Sequence, residues 1–354
     1  MRILHVIDHI DAGGAQDILL NILRYHPEDV HNYVFFFRPI ENDRLKIFRQ
    51  YAECKLFVFP VILFPKVLIA LVRSYKEIRP DIVHAHLEFS CLLTVLLRKI
   101  LRRLVISIYS IPAQVGPLKK LTLLTCSRFA DWVFVGDRIQ TTYYSKVNSK
   151  ISLISLGSSY KDWYRKNNKS RAQWRREFGF EPEETLLLHI GRFVPEKGHV
   201  LAMEIARELL TRGQAIKIIF IGYGNRSYYQ KLIALRDTLN LTQEVIFVFT
   251  MDIYPWLYCV DGFLSTCINE NMGVVIYDAV SAGLPVFSRD TGTIREVIKH
   301  GRNGLLTNSR KQLVDYIDSY FRNGARSVSY DSDKYNNEKI IPRYYQTYTH
   351  VLAN

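Results

Sequence analysis

The sequence predicts an α/β protein built from two doubly wound halves. Three observations carry this. Short β-rich runs alternate with helical runs through the first half. The same alternation restarts after residue 180. Between them, residues 158–180 change character, with seven Lys or Arg residues set among Trp163, Tyr164 and Trp174. Strands alternating with helices imply parallel sheets covered on both faces.

Taken in order, Arg2–Ile7 reads as a strand, Ala15–Tyr25 as a helix and Tyr33–Phe37 as a strand. Cys54–Phe59 is another strand, and a helix runs from about Pro65 to Glu77. Asp81–His86 is a strand and Ser90–Leu101 a helix. Leu104–Ile108 and Trp132–Val135 are further strands. In the second half, strands are expected at Thr185–Ile190, Ala215–Ile221, Glu244–Phe249, Gly262–Thr266 and Pro285–Ser288. Helices at Val200–Arg212 and Tyr228–Leu239 alternate with them, and a short apolar helix follows Gly273. Gly283 can end that helix. The tyrosine-rich segment Lys334–Leu352 has helical periodicity, and Pro342 is expected to break or kink it.

With 354 residues the chain suits two cores better than one. It is 48% hydrophobic and 23% charged, ordinary for a globular protein. A net charge of +13 favours anionic partners. No nucleic-acid-binding signature accompanies it, so nucleic acid is not an expected partner. Five cysteines, none in a C-x-x-C pair, read as reduced thiols of a cytoplasmic protein. The chain starts directly on a strand, with no signal-peptide pattern. The apolar run Leu56–Val72 is interrupted by Pro60, Pro65 and Lys66, and is read as buried rather than membrane-spanning. Arg98, Lys99, Arg102 and Arg103 are expected on one helix face, with Lys119, Lys120 and Arg128 nearby. A solvated helix edge accounts for them, and so does reversible docking on an anionic membrane surface.

Residues 268–287 say most about chemistry. Glu270 precedes Gly273, and Asp278 falls in the helix that follows. Two carboxylates therefore flank a helix start with free N–H groups and a positive dipole end. That suits a ligand with phosphates and hydroxyl-rich sugars. Strand Thr185–Ile190 ends in Gly191-Arg192-Phe193-Val194-Pro195-Glu196-Lys197-Gly198. Arg192 and Lys197 put two cations at the carboxyl end of a strand, where a diphosphate leaving group needs compensation. Gly222-Tyr223-Gly224 ends the next strand in matching register. Gly13 and Gly14 follow the first strand and open a helix, which permits close backbone approach to an anion. This loop lacks the G-x-G-x-x-G spacing of a nicotinamide site. His84 and His86 end a strand and are expected to point to opposite faces, one buried and hydrogen-bonded.

These residues resemble the retaining glycosyltransferases of family 4, within glycosyl transferases group 1. The acidic motif, the G-R-x-x-x-x-K-G element and the run Ser281-Ala282-Gly283-Leu284-Pro285-Val286 carry the likeness, followed by Gly292, Glu296, Gly301, Asn303 and Gly304. The resemblance implies a GT-B fold, two Rossmann-like domains facing an interdomain cleft. Residues 1–160 would form the acceptor-side domain and 161–330 the nucleotide-sugar domain. Residues 331–354 would form a helix returning to the first domain. It implies a sugar moved from a nucleotide-sugar donor to a glycan or lipid-linked acceptor, with retention, no cofactor and no metal, at a cytoplasmic or membrane-peripheral site. Surface polysaccharide or glycoconjugate synthesis would be its setting. Glu270 would bind sugar hydroxyls and Asp278 the ribose. Arg192 and Lys197 would hold the diphosphate, and amides of Met272, Gly273 and Val274 would meet sugar and phosphate. Gly222 would line the nucleotide pocket, Gly13 and Gly14 would face the donor, and His86 would face the acceptor. Two departures stand out. Asp278 replaces a Glu, and Tyr109 stands where many members have a His that contacts the donor sugar. A nucleotide-sugar epimerase of the same architecture and a non-catalytic binding subunit remain alternatives.

Overall fold

The protein is described by a computed structural model, except for residues 12, 39–41, 57–63, 110–114, 269, 271–272, 292–293, 325–327, 329–331 and 354, and the side chains of 42, 64, 332 and 333. It divides into two compact units, Met1–Gly157 with Asn337–Asn354, and Ser158–Asn336.

In the first unit, β1 (Arg2–Val6), α1 (Gly14–Arg24), β2 (His31–Phe36), α2 (Asn42–Arg49), β3 (Glu53–Leu56) and α3 (Phe64–Ile78) come first. They are followed by β4 (Ile82–His86), α4 (Glu88–Leu96), β5 (Leu104–Ile108), α5 (Pro117–Phe129), β6 (Trp132–Val135), α6 (Arg138–Tyr144) and β7 (Ile151–Leu153). The strands form one parallel sheet in the order β3-β2-β1-β4-β5-β6-β7. The order reverses between β1 and β4, and the crevice at the carboxyl ends of these strands is the ligand position of such sheets. Period-two alternation splits the core. Leu4, Val6, Val83, Ala85 and Ile106 bury one face, while Val34, Phe36, Leu19 and Leu23 pack on the other.

The second unit opens with α7 (Tyr160–Lys166) and α8 (Arg171–Glu177), then β8 (Thr185–Ile190), α9 (His199–Thr211), β9 (Ile216–Ile221), α10 (Arg226–Thr238) and β10 (Val245–Val248). It continues with α11 (Tyr254–Cys259), β11 (Gly262–Ser265), α12 (Val274–Ser281), β12 (Val286–Ser288), β13 (Gly304–Leu306) and α13 (Arg310–Arg322). Its parallel sheet runs β10-β9-β8-β11-β12-β13, reversing between β8 and β11. The chain then returns to the first unit as α14 (Asn337–Ala353).

Several elements differ from their sequence expectation. The basic stretch 158–180 folds as α7 and α8. Ser170 and Gln173 form a capping box on α8, and Arg171 and Arg175 both reach Asp261, at 2.5 and 2.7 Å. Arg175 is buried and also donates to the carbonyls of Cys259 (2.8 Å) and Pro182 (2.7 Å). The helix expected to reach Leu101 ends at Leu96. Beyond it the turns tighten, Leu97 N–H bonding Thr94 O and Ile100 N–H bonding Leu97 O. Arg98 does not share a solvated helix face, because its guanidinium pairs with Asp131 and donates to Phe129 O (3.2 Å) and Leu101 O (3.0 Å). Pro342 sits inside α14 without ending it. Among the described residues no helix is long and apolar enough to cross a membrane.

Candidate functional site

In the second unit the residues around the switch point come from three loops. β8 ends at Ile190, and Gly191–Gly198 turns away through a short 3-10 segment at Pro195–Lys197. A side chain at Gly222, just past β9, would place its Cβ 2.0 Å from Gly191 O, so only glycine lets these two strand ends approach. The loop is braced from β11's extension. Ile268 N–H donates to Glu196 O at 2.8 Å, and Thr266 Oγ1 donates to Gly198 O at 2.8 Å. With the Thr266 proton so committed, His189 Nε2–H donates to Lys197 O (3.0 Å) and Thr266 Oγ1 (3.1 Å). His189 and Thr266 were not singled out from sequence. The only signal was a polar residue at the end of an otherwise apolar strand.

That bracing aims Lys197 at Glu270. Lys197 Nζ donates to Glu270 Oε2 at 2.7 Å, and Gly273 N–H donates to Glu270 Oε1 at 3.2 Å. Gly273 has φ 57°, left-handed, and precedes the first turn of α12. One carboxylate thus bridges an ammonium and the positive end of a helix. The side chains are 24% and 16% exposed, so ligand can reach them while screening is reduced. Burial, the largest single effect, opposes the charge on Lys197, but Glu270 and Cys267 together outweigh it and its pKa is raised. Arg192 is exposed, and its side chain has no ion pair among the described residues. Val274, half-buried, is the first residue of α12. Met272 lies outside the described residues. Asp278, in the second turn of α12, is buried, and its Oδ1 accepts from Ser158 Oγ at 2.6 Å.

In the first unit the residues near the switch point form a different arrangement. Gly13 precedes α1, which begins at Gly14. Asp8, beyond β1, is buried and accepts from Ser90 N–H (3.0 Å) and Oγ (2.5 Å) in the first turn of α4. Burial raises its pKa, and the Ser90 bonds work against that. His84 and His86 do not point to opposite faces. Residues two apart along a strand share a face, and their rings lie 4.0 Å apart. His5 joins them from β1, which pairs in register with β4. All three are fully buried. Burial lowers the pKa of His5 to about 4 and holds His84 and His86 well below their usual value, so all are neutral at pH 7. His86 does not face solvent. Its Nδ1 lies 2.8 Å from the hydroxyl of Tyr109, which is half-buried just past β5.

Two units, each a doubly wound parallel sheet with flanking helices, define the GT-B fold. A family model described as glycosyl transferases group 1 matches residues 170–337. The N-acetyl-alpha-D-glucosaminyl L-malate synthase of Bacillus anthracis is 26% identical over 196 residues, 52% of this chain and 51% of that protein. The D-inositol 3-phosphate glycosyltransferase of Nocardia farcinica is 26% identical over 187 residues, 50% of this chain and 40% of that protein. The chain spans about half the length of the curated relatives it matches. Anabaena HepE, solved with UDP-glucose, superposes with a TM-score of 0.86 at 19% identity over 99% of this chain and 100% of that one.

Proposed function

We propose that the protein is a glycosyltransferase that moves a sugar from a nucleotide-sugar donor to a glycan or lipid-linked acceptor in glycoconjugate or surface polysaccharide synthesis. The observation that carries this reading is the Lys197–Glu270–Gly273 bridge at the start of α12, with Arg192, which has no ion pair among the described residues, nearby in sequence on the same loop. The match of residues 170–337 to a glycosyltransferase model supports it, as does the UDP-glucose bound by the HepE structure.

The donor diphosphate takes Lys197 and Arg192 as counter-cations. Glu270, sharing Lys197 with that anion, turns its oxygens to sugar hydroxyls. The amides of Met272, Gly273 and Val274 meet sugar and phosphate, and Gly222 lines the nucleotide pocket. Asp278 reaches the ribose, which requires Ser158 to share its carboxylate. As the bond from the anomeric carbon to the diphosphate oxygen breaks, negative charge grows where the two cations stand. The acceptor oxygen bonds to the same face of that carbon and its proton passes to the departing phosphate, so configuration is retained. Two fixed cations do the work a metal ion does elsewhere, and no metal is needed. Gly13, Gly14 and Tyr109 stand at the first unit's switch point, the ligand position of such a sheet. His86, fully buried, acts through Tyr109 rather than on the acceptor.

A thermal-shift screen against nucleotide sugars, followed by donor hydrolysis without acceptor, tests this. Binding without any turnover would favour a non-catalytic subunit, the reading that Tyr109 and the Ser158-bound Asp278 support.

A further inference from the structure

Parallel strands buried on both faces are ordinarily apolar. One face of the first unit's sheet instead carries Asn32, His5, His84, His86 and Ser107 at adjoining registers of β2, β1, β4 and β5. Each is at most 6% exposed. Such a layer must satisfy itself, since an unmade bond here is costly. His5 Nε2 lies 3.1 Å from Asn32 Oδ1, and His5 Nδ1 lies 3.1 Å from His86 Nε2. His86 Nδ1 meets the Tyr109 hydroxyl at 2.8 Å. His84 bridges the Tyr348 hydroxyl of α14 (2.6 Å) and Ser107 Oγ (2.7 Å).

The proton direction follows from one end. A carbonyl oxygen can only accept, so His5 Nε2 carries the hydrogen. A neutral imidazole then leaves His5 Nδ1 bare, and His86 Nε2–H donates to it. His86 is neutral too, so its Nδ1 accepts from the Tyr109 hydroxyl. A metal ion is the other occupant three imidazoles invite, and their ligand atoms lie within 4.8 Å of one another. Against that, both nitrogens of each ring already have partners, and the cluster holds no carboxylate to offset a buried cation.

We infer that this layer is a hydrogen-bond wire, Tyr109 to His86 to His5 to Asn32, that turns the Tyr109 proton inward and leaves its oxygen an acceptor on the side away from His86. His86, His5 and Asn32 are positioning residues.

The wire is read directly by long-range 1H–15N NMR of the labelled full chain, with His5→Gln and His86→Gln identifying the signals. The expected result is Nε2–H with bare Nδ1 in both His5 and His86. Asn32→Leu should disturb both tautomers while circular dichroism stays unchanged. A proton on His86 Nδ1, the outcome if the Asn32 amide donates to His5 instead, overturns the proposal. So does one equivalent of bound zinc in the purified protein.

Discussion

Lys197 and Glu270 meet at 2.7 Å across 73 residues of sequence, each supplied by a loop at the carboxyl end of a neighbouring strand. The pair is partly buried and held from both sides, Lys197 by a loop braced on β11 and Glu270 by the Gly273 amide. On the proposed function, Lys197 is held in place before ligand arrives, so a diphosphate sharing it with Glu270 would not have to order a free side chain.

Removing either partner should therefore have unequal effects. Lys197→Ala leaves Glu270 without its cation and should cost about 1–3 kcal/mol of stability. It should also weaken nucleoside-diphosphate binding by about 2–5 kcal/mol. Glu270→Gln keeps an acceptor for Gly273 N–H and should lower kcat sharply with little change in Tm. Calorimetry and initial rates separate the two. A Glu270→Gln protein with parental kcat would remove Glu270 from the chemistry.

Much of this geometry was legible in the sequence because it is local. Gly273 and Gly283 bracket α12, and Gly191, Arg192 and Lys197 mark the end of β8, where apolar runs and turn residues leave few alternatives. Parts that depend on distant partners were not. Arg98 looks like one of four equivalent cations until Asp131, 33 residues on, claims it. Arg171 and Arg175 look like two more cations of a basic stretch until Asp261 joins them. The histidine layer needed the register of β1 against β4, which no local pattern gives, and the shared face of His84 and His86, which period two does give.

Acid should unfold the protein through its buried histidines. His5 and His199 titrate near 4 when folded against an ordinary value of 6.5, and His84, His86 and His189 are also lowered, all chiefly by burial. Below 6.5 the unfolded chain binds protons that the folded chain refuses. Their contribution is complete above that pH and is lost as pH falls toward 4. Each histidine contributes about 1.4 kcal/mol per pH unit in that window. Asp8 and Asp17, with pKa values raised by burial, oppose the trend. Urea midpoints at pH 7.5, 6 and 5 should fall steeply below about 6.5. A flat profile would mean that these rings are not held neutral.

Transfer should survive a chelator. In the proposed reaction Lys197 and Arg192 supply two positive charges on one loop for the leaving diphosphate, the compensation that a divalent ion gives in other enzymes. Rates with excess EDTA should match untreated rates once the donor and acceptor are known. Loss of activity restored by magnesium or manganese would overturn the metal-independent mechanism.

Membrane docking, if it occurs, should use a smaller set of cations than the sequence pattern indicated. Arg98 is tied to Asp131, Phe129 and Leu101, and Lys119 pairs with Glu88 at 2.6 Å. Lys99, Arg102, Arg103 and Lys120 are exposed. On α5, Leu118 and Leu121 are 79% and 63% exposed, three residues apart on one side of the helix beside Lys120. Exposed leucines flanked by lysines can enter the headgroup boundary of an anionic bilayer. Four basic side chains at about 1 kcal/mol each give reversible, salt-sensitive attachment. Co-sedimentation with phosphatidylserine vesicles should fall with added salt and with joint neutralisation of Lys99, Arg102, Arg103 and Lys120. Arg98→Gln should lower Tm instead, with vesicle binding of the folded fraction unchanged. Equal binding to neutral vesicles would remove the docking hypothesis and leave the proposed donor site untouched, because Arg192, Lys197 and Glu270 belong to the other unit.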